Sequence, residues 1–159
     1  MNFAKSFPGL ITIAAIGAVI AIAACVVAAM LPPIPQWMAV GVITTAVIAS
    51  WVHGWFVVKL TFEVADPPTS PLETGRQPLA PPAGTMRGGW IIGLLERAAT
   101  TAAIGTGLFV ALAVIVAVKA VGRFGELDKP ESRERFIIGT LASLGTAALW
   151  GAAAYLWRI

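Results

Sequence analysis

The sequence predicts an all-α integral membrane protein, a four-helix bundle made of two antiparallel hairpins. Two observations carry that prediction. The chain of 159 residues is 58% hydrophobic and only 12% charged, which excludes an ordinary soluble domain. Its apolar residues also gather into four stretches, at about 8–31, 37–58, 89–119 and 136–157. A helix rises about 1.5 Å per residue and the hydrocarbon core is about 30 Å thick, so roughly 20 residues cross it. Each stretch is long enough, and all four are apolar on every side, as lipid-facing helices are.

The first stretch, Pro8 to Leu31, holds no charge. Ile22-Ala23-Ala24-Cys25 matches the short motif that precedes a lipid-modified cysteine, but the apolar run continues beyond it to Leu31. A secretory signal's apolar region is about 7–15 residues, so the expectation is a retained helix. Cys25 is the only cysteine, and no intramolecular disulfide can form. Leu31-Pro32-Pro33-Ile34-Pro35-Gln36 then ends the helix, because proline lacks the amide donor and clashes with the preceding turn. A tight hairpin between the first two helices follows.

The second helix spans Trp37 to Val58 and carries the only histidine, His53, between Trp51 and Trp55. Two tryptophans four residues apart share a face, as in an interfacial aromatic belt. His53 is expected to hydrogen-bond at headgroup level, with titration near neutrality as its functional alternative. The next segment, 60–88, holds Asp66-Pro67-Pro68 and Pro78-Leu79-Ala80-Pro81-Pro82 and reads as an extended proline-rich linker.

The third stretch is overlong. Gly88 to Val118 would extend about 46 Å as one helix, more than the bilayer core. Ala98 to Val118 fills the core alone, which places Glu96 and Arg97 at one interface and Lys119 at the other. The alternative sets Glu96 inside the bundle, facing a lysine, a histidine or a proton path. An intramembrane carboxylate is costly, so such a residue is a functional candidate by default. Gly105-Thr106-Gly107 reads as a packing feature within this helix.

Lys119 and Arg123 lie four residues apart at the end of the third helix, suited to its negative dipole end. Glu134 opens the fourth, so a salt-bridged clamp from Glu134 to Lys119 or Arg123 is expected. Residues with small side chains recur every fourth position at Gly139, Ser143, Ala147 and Gly151, and at Gly17, Ala21, Cys25 and Ala29. Such stripes let helices approach closely in lipid.

Four crossings put both termini and the linker on one side, with Lys5, Lys59, Arg76, Arg87, Arg97 and Arg158. The other side has Lys119, Arg123, Lys129, Arg133 and Arg135, so the split is six against five. The positive-inside rule needs an asymmetry that this split lacks. The uncharged first turn favours cytoplasmic termini.

Gly93-Leu94-Leu95-Glu96-Arg97, then KAVGRF from Lys119, then ERFIIGTLAS from Glu134, form an ordered set. In order and spacing they resemble an uncharacterised family of bacterial integral-membrane proteins, over Gly88 to about Gly151. The resemblance implies that Glu96, Arg97, Lys119, Arg123, Glu134, Gly139 and Thr140 are matched motif positions in a multi-pass protein of the bacterial plasma (inner) membrane. It implies no reaction.

No nucleophile–base pair, phosphate loop or dinucleotide fingerprint is present, so no enzyme and no cofactor is expected. One histidine and one cysteine on different helices make no metal site. The small, dispersed charge of +3 argues against nucleic acid. The expected partners are the lipid bilayer and either further copies of the chain or another membrane protein. The functional expectation is an association or accessory (scaffold) role in a membrane complex. The alternative is an oligomeric transporter or channel for an ion or small solute, using Glu96, His53 or the threonines.

Overall fold

A computed structural model describes residues 3–65, 89–123 and 130–159. The described residues are almost wholly helical and contain no strand. Five helices follow one another: α1 (Phe3–Met30), α2 (Gln36–Ala65), α3 (Gly89–Gly105), α4 (Val110–Arg123) and α5 (Pro130–Leu156). The all-α expectation holds, while the four-helix arrangement gives way to five. α2 runs on to Ala65, through the expected start of the linker. Linker residues 66–88 and the charged connection 124–129 lie outside the described residues.

Proline sets the first boundary as expected. α1 stops before Pro32-Pro33, and α2 starts just after Pro35, whose carbonyl accepts from the Met38 amide at 2.9 Å. The turn itself docks on the end of α5, where the Ile34 amide donates to the Trp157 carbonyl at 3.1 Å.

The expected single helix over 89–119 is instead α3 and α4, folded back on each other. Gly107 has φ +78°, a left-handed conformation that glycine adopts without steric cost. The Leu108 amide reaches the Ala103 carbonyl at 2.7 Å, and the Gly107 amide reaches Ile104 at 2.9 Å. Those two bonds are a Schellman motif, the standard glycine stop of a helix. Gly107 is therefore a helix terminator, while Gly105 keeps the expected packing role, buried with its Cβ position 3.2 Å from Ile43. At 17 and 14 residues, α3 and α4 rise about 25 Å and 21 Å, each short of a 30 Å core.

Cross-helix contacts fix the directions. Ser50 meets Thr101 and Gly54 meets Arg97, so α2 and α3 run antiparallel. Arg97 meets Ser143 and Thr101 meets Ala147, so α3 and α5 run parallel. Lys119 meets Glu96, which turns α4 back along α3. We call the end where α2 finishes and α3 begins the linker end, and the opposite one the turn end. α1 and α5 both begin at the linker end. The amino terminus of α1 and the carboxyl terminus of α5 consequently stand at opposite ends, not on one side as four crossings required.

Among the described residues three helices are long and apolar enough to cross a membrane, over Pro8–Met30, Gln36–Ala65 and Arg133–Leu156. The core between them is built largely of alanine, including Ala21, Ala46, Ala103 and Ala147, while Ile20, Val40, Trp55 and Leu141 face outward. Small residues inside and large apolar residues outside invert the pattern of a soluble protein. The α5 stripe lies inside the bundle. A Cβ added at Gly151 would stand 3.0 Å from the Thr101 carbonyl oxygen, and one at Gly139 would stand 2.8 Å from the Phe62 ring.

Candidate functional site

The polar side chains of the bundle collect where α2, α3 and α5 meet, with α4 completing the group. Glu96 on α3 forms an ion pair with Lys119 on α4, and both are largely buried. The Lys119 ammonium also lies 5.9 Å from the centre of the Phe136 ring. Glu96 thus stands within the bundle facing a lysine, and the placement of Glu96 and Lys119 at opposite interfaces does not hold. The fold-back at Gly107 is the reason, because it brings residues 23 apart in sequence together.

Arg97 points away from that pair, into the junction of α2, α3 and α5. It is 8% exposed, and its Nη1 donates to Ser143 Oγ at 3.2 Å. Bare glycine backbone makes room for it. A Cβ at Gly54 would stand 2.6 Å from Arg97 Cδ, and one at Gly93 would stand 3.8 Å from Nη1. The Nε of Arg97 is buried without a hydrogen-bond partner, as are the hydroxyls of Thr100 and Thr140 and Oε2 of Glu63. Buried polar groups are nearly always paired, so these four are exceptions with a physical cost.

One turn deeper, Thr101 is fully buried, and its hydroxyl reaches Ser50 Oγ at 3.1 Å and the Ala147 carbonyl at 3.2 Å. Ser50 in turn donates to Val47 at 3.0 Å. Trp51 donates from its indole to the Leu94 carbonyl at 2.9 Å, tying α2 to α3 from the side.

His53 is buried inside the bundle. Its Nε2 lies 3.0 Å from the Ala14 carbonyl of α1, and its Nδ1 accepts from the Trp150 indole at 3.2 Å. The indole can only donate, so this network assigns the proton to Nε2 and leaves both ring nitrogens satisfied. His53 is therefore a three-helix tether. Gly17 is part of it, since a Cβ there would stand 2.5 Å from the imidazole.

The expected clamp takes another form. Lys119 pairs with Glu96 rather than with Glu134, which is exposed on α5, and the side chain of Arg123 lies outside the described ones. Arg135 lies 5.8 Å from the centre of the Phe62 ring. Among the described residues no group of three histidine, cysteine or acidic side chains could hold a metal ion.

Near the turn end, α1, α2 and α5 enclose an open apolar groove of about 530 Å³, lined by Trp37, Gly41, Ala46, Trp150, Ala153 and Trp157 among others. Ser50 and Trp150 had no sequence signal of their own, because a lone serine or tryptophan in an apolar helix has many harmless uses. The α5 stripe did hold one clue, since Ser143 is its only hydroxyl among Gly139, Ala147 and Gly151. No family model, no curated protein and no solved structure matches this chain.

Proposed function

We propose that the chain is a multi-pass protein of a bacterial plasma membrane that works by association, as an accessory subunit or scaffold. The observation that carries the reading is the α3–α4 hairpin. α4 packs against α3 along one face containing Ala111, Leu112, Ile115 and Lys119. Its other faces expose Val110, Val114, Val118 and Val121. A helix of about 21 Å does not span the hydrocarbon core, yet it carries a largely buried ion pair and leaves those valines to be covered. Contact with a neighbouring transmembrane helix would supply that cover.

The orientation we propose is supported by the distribution of basic residues. With three full-length helices and a hairpin that returns to its starting end, Lys5, Lys59, Arg76, Arg87, Arg97, Lys119, Arg123, Lys129, Arg133 and Arg135 belong to the linker end or its connections. Arg158 alone belongs to the turn end. Acidic residues count little in the positive-inside rule, so ten against one is a strong bias for a cytoplasmic linker end. The amino terminus is then cytoplasmic and the carboxyl terminus external.

Native mass spectrometry of the chain extracted from its membrane, with photo-crosslinkers at Val114 and Val118, tests the association. A discrete homo-oligomer or a stoichiometric complex, crosslinked through α4, is expected. A monomer without crosslinks contradicts the reading. The transport alternative draws on the buried Arg97–Ser143 and Thr101–Ser50 contacts, since polar groups inside spanning bundles often mark solute paths. Solute flux in proteoliposomes that the Ser50→Ala or Thr101→Val substitution abolishes would favour it.

A further inference from the structure

We propose that Arg97, with Thr140 and Ser143, forms a binding site for a phosphate-type oxyanion that enters from the linker end. Arg97 has five N–H donors, is more than nine-tenths buried, and among the described residues makes a single hydrogen bond, to Ser143. Its Nη1 is the atom engaged. The Nε, on the opposite edge with Nη2, is buried and unpartnered. That edge is a planar fork suited to two oxygens of one phosphate.

The surrounding charge points to an anion. Two cations, Arg97 and Lys119, share one nearby carboxylate, and Glu96 is bonded to Lys119. Among the described residues no carboxylate forms an ion pair with Arg97, so none of them is a direct counterion to this buried charge. An unpaired buried charge is strongly disfavoured. Helix periodicity sets a second donor on the side of α5 that carries Ser143. The Thr140 hydroxyl is buried without a partner, one helical turn from Ser143 on the same face of α5.

The direction of entry comes from helix geometry. Side chains on a helix lean towards its amino-terminal turn, and α3 begins at the linker end. The guanidinium accordingly lies over Gly93, whose missing side chain leaves space on that side. Arg97 is eight residues into α3, about 12 Å from its start, and the side chain shortens that distance towards the headgroup level. Phosphate chemistry is available there from a phospholipid headgroup or from free phosphate. The headgroup source rests on the membrane reading above.

The full chain, purified in a phosphate-free zwitterionic detergent, supports two assays. Native mass spectrometry counts retained phospholipid after exchange into detergent with added phosphatidylglycerol. Thermal unfolding of delipidated protein is followed with added inorganic phosphate. Each is run on the natural chain and on Thr140→Val, which keeps the side-chain shape and removes the orphan hydroxyl. One phospholipid per chain, held about tenfold more weakly by Thr140→Val, supports the site with lipid as its source. A thermal shift with inorganic phosphate that Thr140→Val reduces supports the site with a free anion as its source. Phosphate and lipid without effect, or effects equal in both proteins, overturn the proposal. Recovery of the chain from cells without detergent would overturn the membrane reading instead, and the phosphate assay would still be decisive.

Discussion

Glu96 and Lys119 join two helices through one ion pair that is mostly shielded from water. Removing one partner of such a pair strands the other, at a cost of about 3–5 kcal/mol. Glu96→Ala should therefore lower the unfolding midpoint markedly. In a double-mutant cycle with Lys119→Met the second substitution should cost far less than it does alone. Additive losses would show that the pair is not formed. A different test applies to Arg97, whose stem lies against Gly54. Gly54→Ala would push Cβ into that stem, so thermal unfolding should show a loss of about 1–3 kcal/mol, as for other overpacked sites. A neutral result would place Arg97 elsewhere. The candidate residues Glu96, Arg97 and Lys119 were legible in the sequence, because charge within an apolar run is conspicuous. Their partners were not. Helix periodicity says which residues share a face, but not which helix lies opposite.

At the scale of elements, the proline turn and the approximate positions of α1, α2 and α5 could be read directly. Each has a run of apolar residues and a proline or charge to end it. The α3–α4 hairpin could not be read the same way. The stretch is visibly too long for one crossing, and a register that fills the core with Ala98 to Val118 leaves the excess outside it. Its true cause is a stop at Gly107, masked by the apolar residues that continue on both sides. Alanine at this position must adopt the left-handed conformation, which costs about 1–2 kcal/mol. Its Cβ would also lie 3.3 Å from the Tyr155 ring. Gly107→Ala should destabilise the protein by at least that amount in detergent unfolding, whereas Gly122→Ala, with open space around its Cβ position, should be neutral or slightly stabilising. Equal behaviour of the two variants would remove the turn from the account.

For the whole molecule, the parity of crossings decides how the charges are distributed. In the proposed topology, one turn in the middle of an apolar run changes the count of basic residues from six against five to ten against one. On that topology the near-balance read from the sequence comes from the turn at Gly107, which the sequence reading lacked. In that topology the same turn also moves Lys119 and the start of α5 to the side of the linker end. Glu134, exposed at the start of α5, reports that difference directly. We would replace Cys25 with alanine, introduce Glu134→Cys, and label the chain with a membrane-impermeant thiol reagent in intact cells and in inverted vesicles. The five-helix account predicts labelling only in inverted vesicles, on the same side as a cysteine placed at Lys5. Labelling of Glu134→Cys on the side opposite to Lys5→Cys would contradict the hairpin and restore a single crossing from Ala98 to Val118.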